Sequence, residues 1–373
     1  MRTQLNLSLA LALLAGINHA AAQQPVITSF SQNGVLVCTN LQPGTVASME
    51  WTSSLAGPWQ TNWSGLDMVT VGTNGSIQVG VPMYYRVRGV AYMPPPPSGM
   101  VLIPAASFTM GNSTGDADIT DAAPVTADVS AFCMDTNLVS WSHWQGVYAY
   151  ATNHGYGFVN GGDGKAGNHP VQTVDWYDCV KWCNARSEQA GKVPVYYTDA
   201  GFTKVYTNGE VTVYVNWGAK GYRLPTEAEW EKAARGGLSG QRFPWGNLIS
   251  QTNANYYGDT GSYSYDLGPN GYNAIGNYPT TIPGTSPVGS FAANGYGLKD
   301  MAGNVFQWCW DWYATPYAGG PDPRGVATGS YRVLRGGGWD YAAYGCRSAY
   351  RDYFNPSSSY IYIGFRSVLL PGQ

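Results

Sequence analysis

Four consecutive prolines occupy residues 94–97 of this 373-residue chain. Because proline lacks a backbone N–H and has a fixed φ, the run cannot lie inside a helix or a central strand, and it favours a stiff polyproline conformation. One hydrophobic core therefore cannot extend through it. We predict a linker over residues 93–99, which separates a small domain at residues 23–92 from a larger one at residues 100–373.

The first 22 residues have the pattern of a secretory signal peptide. Arg2 supplies a positive charge, residues 5–17 form an apolar run too short for a transmembrane helix, and alanines at 20–22 suit a cleavage site. We expect cleavage near Gln23 and a protein that is secreted, periplasmic or at the cell surface, with no transmembrane segment after cleavage. An uncleaved anchor is the alternative.

The small domain alternates apolar and polar residues between turns. Its segments read VITSF, GVLVCTN, VASMEWTSS, SIQVGV and MYYRVRGV. Short strands with this alternation are typical of a small all-β sandwich. Since the domain contains no histidine and no acidic cluster, we interpret it as a spacer or adhesion module rather than a catalytic one.

The larger domain is predicted to consist mainly of short strands and loops, because the chain is rich in glycine (48) and tyrosine (28). Two windows favour helices. One follows Asp175, and the other covers residues 223–237, where Thr226 and Glu229 have the spacing of a capping box and Gly236 can end the helix.

Charge limits the possible partners and sites. Lys and Arg (20) nearly balance Asp and Glu (23), and the net charge of −3 does not favour a nucleic-acid partner. Three glutamates of the second predicted helix, Glu227, Glu229 and Glu231, could suggest carboxylate catalysis. Helix capping and solvent exposure account for them better.

Seven motifs in the larger domain occur in a fixed order: LIPAASFTMG, HPVQTVDWYDCVKWCN, RLPTEAEWEKAARGG, FPWGN, NGYGLKDMAGNVFQWCWDWY, RVLRGGGW and IGFR. Together they resemble the sulfatase-modifying-factor family, also called formylglycine-generating-enzyme-like. The resemblance covers residues 100–368. It implies an irregular, loop-rich α+β fold related to C-type lectins, preceded here by the small sandwich.

The resemblance also implies an oxidase site that this sequence lacks. Oxidases of the family bind copper between two cysteines in the segment between RGGS and GFR, and two soft sulfur ligands suit Cu(I). Here residues 338–363 contain only Cys346; Ala343 stands at the second catalytic position, and Gly338 replaces the serine. We therefore do not expect copper, and Cys346 is a catalytic candidate only if the protein is an enzyme.

Calcium is a second cofactor that the resemblance implies. Family members bind Ca²⁺ through loop carbonyls and through Asn and acidic side chains, the all-oxygen shell that this hard ion requires. Asn255 and Asn304 match ligand positions, and Gln307 replaces a glutamate. These three residues are our candidates for a structural calcium site, although each asparagine could equally be a turn residue.

Residues 338–363 have the composition of a binding surface. They contain six of the 28 tyrosines and no Lys, Glu, Gln or Met. Tyrosine offers a large amphipathic contact area with few torsions to order, and small residues adapt around it, as in antibody paratopes. Our ligand-binding candidates are Asp340, Tyr341, Tyr344, Tyr350, Asp352, Tyr353, Phe354, Tyr360 and Tyr362.

The same segment also resembles the variable region of proteins that diversity-generating retroelements diversify on lectin-like folds. Mutation of Asn codons (AAY) yields Asp, Tyr, Ala, Gly, Phe, Ser and Ile, which occur here between CRSA, NP and IGFR. We favour a secreted ligand-binding or display domain with an unknown protein or glycan ligand. The alternative is a formylglycine-generating-type oxidoreductase that modifies an exported sulfatase or another exported protein.

Overall fold

The computed structural model describes residues 26–30, 35–41, 43–44, 46–51, 69–80, 85–89, 95–277, 284–317 and 319–372. The predicted signal peptide (1–22) and the start of the predicted linker (93–94) lie outside these ranges. The chain divides into two compact units, residues 1–93 and 94–373. Across the described ranges, no helix has the length and apolar character needed to cross a membrane.

The described part of the first unit is all-β. Two antiparallel three-stranded sheets have the strand orders β1-β2-β5 and β4-β3-β6. Alternating apolar residues form these strands, since every second side chain of a strand points to the same face. The strands are β1 (Val26–Phe30), β2 (Val35–Thr39), β3 (Val46–Trp51), β4 (Val69–Thr70), β5 (Ile77–Gly80) and β6 (Tyr85–Gly89).

The second unit combines three helices with short strands in its described residues, and it confirms the predicted irregular α+β fold class. The helices are α1 (Trp141–Thr152), α2 (Trp176–Gln189) and α3 (Glu227–Arg235). The strands are β7 (Met100–Ile103), β8 (Ala106–Met110), β9 (Val125–Val129), β10 (Phe132–Asp135), β11 (Tyr196–Tyr197), β12 (Tyr214–Val215), β13 (Tyr257–Gly258), β14 (Gly271–Tyr272), β15 (Phe306–Trp312), β16 (Gly320–Pro321), β17 (Arg332–Arg335), β18 (Asp352–Phe354), β19 (Ile363–Gly364) and β20 (Val368–Leu369).

One four-stranded sheet organises the C-terminal region, in the order β18-β17-β15-β19. Strand β15 pairs antiparallel with β17, with Gln307 opposite Arg335, and parallel with β19, with Phe306 opposite Ile363. Strand β18 joins the other edge of β17, so that Leu334 lies opposite Asp352. The sheet therefore holds both ends and the middle of the tyrosine-rich segment.

Helices α1 and α2 pack against this sheet through buried aromatic rings. Trp144 of α1 stacks on Trp182 of α2 at 5.8 Å, and the ring of Phe365 meets both edge-on. Helix α2 follows Asp175, as predicted, and Asp175 caps it by accepting a hydrogen bond from the backbone N–H of Asp178. Helix α1 was not predicted from the sequence, because its mixture of Trp, Tyr, Ser and Gly has low helix propensity.

Helix α3 confirms one prediction and corrects another. The capping box between Thr226 and Glu229 is present, and Gly236 ends the helix with φ 57°. The solvent exposure expected for Glu227, Glu229 and Glu231 is wrong: all three are buried. Each carboxylate is instead paired with at least one arginine: Glu229 with Arg223 just before the helix, and Glu227 and Glu231 with arginines distant in sequence or on the helix itself. These pairs compensate the desolvation of the carboxylates.

Candidate ligand-binding surface

The tyrosine-rich segment, residues 338–363, is a long loop with fixed ends. It leaves β17, forms a 3-10 turn at Ala343–Cys346, adds β18 to the sheet and rejoins it at β19. Since β17 and β19 flank the same strand, β15, the two ends of the loop are held by one sheet.

Buried arginines anchor the middle of this loop. Arg347 donates to Asp118 at 2.8 Å and to Asp116 at 3.1 Å, and Arg351 makes a bidentate pair with Glu227 at 2.6 and 2.8 Å. From the sheet, Arg335 donates to the backbone carbonyls of Ser348 and Tyr350. Paired guanidinium groups with several hydrogen bonds each hold the loop backbone in one conformation.

Above these anchors lies a continuous set of rings and carboxyl groups. Ring centroids are 6.3 Å apart for Tyr341 and Tyr344, 5.7 Å for Tyr341 and Tyr362, 5.3 Å for Tyr360 and Tyr362, and 5.1 Å for Phe354 and Tyr360. We call this set the tyrosine surface; its members are Asp340, Tyr341, Tyr344, Asp352, Phe354, Tyr360 and Tyr362.

The tyrosine surface is solvent-accessible but supported from below. None of its side chains is fully buried, and Tyr360 is 40% exposed. Phe306 of β15, which is fully buried, meets the ring of Tyr341 edge-on at 4.6 Å and that of Tyr362 at 6.5 Å. Rings that are fixed before a ligand arrives lose little conformational entropy when it binds.

Two of the predicted ligand-binding residues, Tyr353 and Tyr350, lie outside this set. Because neighbouring side chains of a strand point to opposite faces, Tyr353 lies on the other side of β18 from Asp352 and Phe354. Its ring, 43% exposed, contacts Tyr313 at 4.1 Å and Tyr331 at 5.2 Å. Tyr350 lies beside the surface, where it meets Tyr344 at 5.2 Å and packs on the core.

The two carboxyl groups of the tyrosine surface are desolvated. Burial raises the pKa of Asp340 to about 6, and its Oδ1 atom is buried and accepts no hydrogen bond from the described residues. Burial also raises the pKa of Asp352, which accepts hydrogen bonds from the backbone N–H of Tyr353 and from the Tyr341 hydroxyl. Neither carboxyl forms an ion pair within the described part of the chain.

We expect Asp340→Asn to stabilise the protein at neutral pH. A pKa of about 6, against an ordinary 3.8, means that the unfolded chain ionises first, so stability falls as pH rises from 3.8 to 6 and stays reduced above it. Solvent at the half-buried side chain limits this penalty to about 1 kcal/mol. Urea denaturation should show the gain at pH 7.5 and little gain at pH 4; a variant less stable than wild type at pH 7.5 would contradict it.

Other aromatic residues, not found from the sequence, extend the surface. Tyr263 lies 5.5 Å from Tyr344, and the ring of Tyr272 lies 5.8 Å from Trp339 and 5.0 Å from Tyr257. The backbone N–H of Tyr257 donates to the carbonyl of Tyr341 at 2.9 Å, which joins β13 to the loop. The sequence signal that could have identified Tyr257 and Tyr272 is the Tyr-Gly pair of residues 257–258 and the Gly-Tyr pair of residues 271–272.

Cys346 lies below the surface in an apolar environment. It packs with Ala343 in a cluster whose other members are Phe243, Ile249, Ala254, Tyr256 and Ala302. Burial raises the pKa of the Cys346 thiol well above its ordinary value, which disfavours the reactive thiolate. All six cysteines are free and buried.

The three calcium candidates lie on neighbouring segments. The backbone N–H of Asn304 donates to the carbonyl of Asn255 at 2.7 Å, and the Asn304 side chain exchanges two hydrogen bonds with the backbone of Ser286. Gln307 is oriented differently: its Oε1 accepts from Trp230 at 2.8 Å and from Arg366 at 2.7 Å. Gln307 Oε1 thus already accepts two hydrogen bonds within the protein. Calcium binding at Asn255 and Asn304 stays a prediction.

Comparisons with known proteins agree with the motif order. Residues 90–370 match the sulfatase-modifying factor enzyme 1-like domain. The formylglycine-generating enzyme of Thermomonospora curvata is 35% identical over 298 residues, which cover 73% of this chain and 94% of that protein. The formylglycine-generating enzyme of Bos taurus is 31% identical over 290 residues, which cover 73% of this chain and 75% of that protein.

A solved structure gives the same result at the level of the fold. Treponema denticola variable protein 1 aligns with a TM-score of 0.57 and 29% identity, covering 73% of this chain and 95% of that one. The resemblance stated from the motifs is thereby confirmed. This chain belongs to the family of sulfatase-modifying factor enzyme 1-like domains.

Proposed function

We propose that this chain is a secreted or surface-attached ligand-binding domain that displays the tyrosine surface. One observation carries the proposal: in residues 338–363, residue type follows exposure. Apart from Trp339, every exposed or half-buried residue is Asp, Tyr, Ala, Phe, Asn, Ser or Ile. The residues of other chemical types, Cys346, Arg347, Arg351 and Pro356, are all buried.

The buried residues of the segment therefore form a scaffold, and its exposed residues form the set that is available to contact a ligand. The buried residues fix the loop through ion pairs and packing, so the exposed ones can change without disturbing the backbone. The exposed types are those that form paratopes, where tyrosine supplies most of the contact area. A surface built this way can accept many sequences on one fold.

The similarity to Treponema denticola variable protein 1 supports a variable display role. The exposed types, apart from Trp339, are also among those that mutation of AAY codons can yield, together with Asn itself. We therefore expect a reverse transcriptase gene and a near-copy of the segment beside this gene. A genomic neighbourhood without either would remove the hypervariable part of the proposal and leave a fixed binding surface.

A display experiment tests the proposal. Positions 340, 341, 344, 352, 354, 360 and 362 are randomised with AAY-derived codons in the full chain on the yeast surface. We expect most clones to fold, as judged by thermal resistance, and some to bind hen lysozyme as a probe antigen. The matched control randomises the buried positions 343, 346, 347 and 351, where most clones should unfold. Equal loss of folding in both libraries would contradict the proposal.

A second candidate function is that of an oxidoreductase acting on exported proteins. The similarity to the formylglycine-generating enzyme of T. curvata, which covers 94% of that enzyme, favours it. Its chemistry would need a second sulfur, yet Ala343 presents a methyl group beside Cys346. We expect no thiol loss when the protein is incubated with copper, oxygen and a peptide containing Cys-X-Pro-X-Arg. Mass spectrometry measures the product, with the T. curvata enzyme as positive control; turnover would contradict the binding-only account.

A further inference from the structure

The tyrosine surface contains two carboxyl groups that form no ion pair with any described residue. The nearby arginines are already engaged, since Arg347 pairs with Asp116 and Asp118 while Arg351 pairs with Glu227. The segment 338–363 contains no lysine. Asp340 and Asp352 are thus carboxyl groups among aromatic rings without a cation of their own in the described residues.

The buried Oδ1 atom of Asp340 accepts no hydrogen bond from the described residues. A Cβ atom placed on Gly338 would lie 3.2 Å from Asp340 Oδ1, 3.3 Å from Tyr362 Cβ and 3.5 Å from the ring of Phe306. Gly338 is therefore packed closely against Asp340, Tyr362 and Phe306, and a side chain at position 338 would press on the carboxyl. A carboxyl group that is desolvated and unpaired gains strongly from a cation that arrives with a partner.

The rings around Asp340 add a second preference for a cation. The Asp340 carboxyl is close enough to Tyr341 and Tyr362 to interact electrostatically with both, and Tyr360 stacks on Tyr362 with an angle of 3° between the ring planes. Aromatic faces attract guanidinium and ammonium groups, and arginine can stack on a ring while donating to a carboxylate. This fold already uses that arrangement: Arg186 lies 3.9 Å over the ring of Tyr222 and donates to Asp135 at 2.7 Å.

We propose that the tyrosine surface takes a protein partner that places an arginine or lysine side chain against Asp340 and over the neighbouring rings of Tyr341 and Tyr362. The inference rests on the proposed function, because it names the chemistry of the ligand at the same surface. Asp340 supplies the counter-charge, the rings supply stacking area, and Asp352, held by the Tyr341 hydroxyl, adds negative potential at the edge of the site.

Selection from a phage-displayed library of random 12-residue peptides tests this inference. The full chain and its Asp340→Asn variant are used as targets in parallel. We expect peptides selected on the wild type to be enriched in Arg and Lys and to bind the variant about tenfold more weakly. Replacing the key peptide arginine by citrulline should cost the same factor on the wild type and little on Asp340→Asn. The control is Asp128→Asn, an exposed aspartate of β9.

The outcomes separate the two levels of the proposal. Peptides that depend on Tyr341 and Tyr362 but show no Arg or Lys enrichment, and no response to Asp340→Asn, would overturn the cation inference and leave the proposed function standing. Peptides indifferent to Asp340 and to both tyrosines would overturn the proposed function itself. Tyrosine-dependent binding found only on a glycan array would overturn the inference that the partner is a protein.

Discussion

Replacing Glu231 by alanine is expected to lower the free energy of unfolding of the second unit by about 3 to 5 kcal/mol. Glu231 is fully buried on α3. Its Oε1 accepts from Arg235 at 2.7 and 2.9 Å and from the backbone N–H of Gly111 at 2.6 Å, and its Oε2 accepts from Arg335. Without the carboxylate, the buried Arg235 loses its counter-charge, and the buried Arg335 keeps only the longer contact to Glu227 at 3.5 Å.

The matched control for that prediction is Asp118→Ala. The side chain of Asp118 also pairs with an arginine, but it is 59% exposed, and Arg347 keeps Asp116 as a second partner. An exposed pair contributes about 0 to 1 kcal/mol. Urea denaturation at neutral pH measures both variants. Similar losses for the two would contradict the account in which α3 is fixed by buried ion pairs.

Glu231→Ala should also affect the tyrosine surface, although Glu231 does not belong to that surface. Arg335 donates to the carbonyls of Ser348 and Tyr350 and is oriented by Glu231. The loop that carries the tyrosine surface would therefore lose one of its anchors. We expect faster hydrogen exchange at residues 343–351 in Glu231→Ala than in Asp118→Ala, even at temperatures where both remain folded.

Replacing Tyr341, Tyr360 and Tyr362 together by alanine is expected to weaken ligand binding at least about a hundredfold. These rings form the centre of the tyrosine surface, and central aromatic residues supply most of the energy of an interface. Each is only partly buried, so we expect a stability loss of about 1 kcal/mol per ring. Surface plasmon resonance with peptides selected on the wild type measures the affinity.

The control variant for the triple replacement carries Tyr331→Ala and Tyr353→Ala. These rings are 46% and 43% exposed and lie 5.2 Å apart on the other face of β18. They match the tested rings in type, resemble Tyr360 in exposure, are more exposed than Tyr341 and Tyr362, and differ in location. The control should keep affinity within about twofold of wild type. Comparable loss in both variants would mean that binding does not depend on the tyrosine surface.

The fold could be predicted from local signals and motif order, but the partners of buried charges could not. The capping box at Thr226 needs only four adjacent residues, and the sequence shows it. The burial of Glu227 and Glu231 depends on Arg351 and Arg335, more than a hundred residues away, so local charge patterning favoured exposure. Helix α1 was missed because tertiary packing outweighs its weak propensity.

The sequence predicts the candidate surface as a composition, and the folded chain supplies its geometry. Tyrosine enrichment singled out residues 338–363, but only the strand pairing of β18 decides that Asp352 and Phe354 share a face while Tyr353 does not. The additional rings Tyr257 and Tyr263 come from segments that only the folded chain brings beside the loop.

Hydrogen exchange on the full chain, with and without a saturating peptide selected on the wild type, tests most directly where this protein acts. We predict protection at residues 338–344 and 352–362, with none around Cys346 beyond its core value. Protection confined to the face of Tyr353, or to the cavity of about 130 Å³ lined by Trp217, Arg223 and Arg324, would contradict the assignment of function to the tyrosine surface.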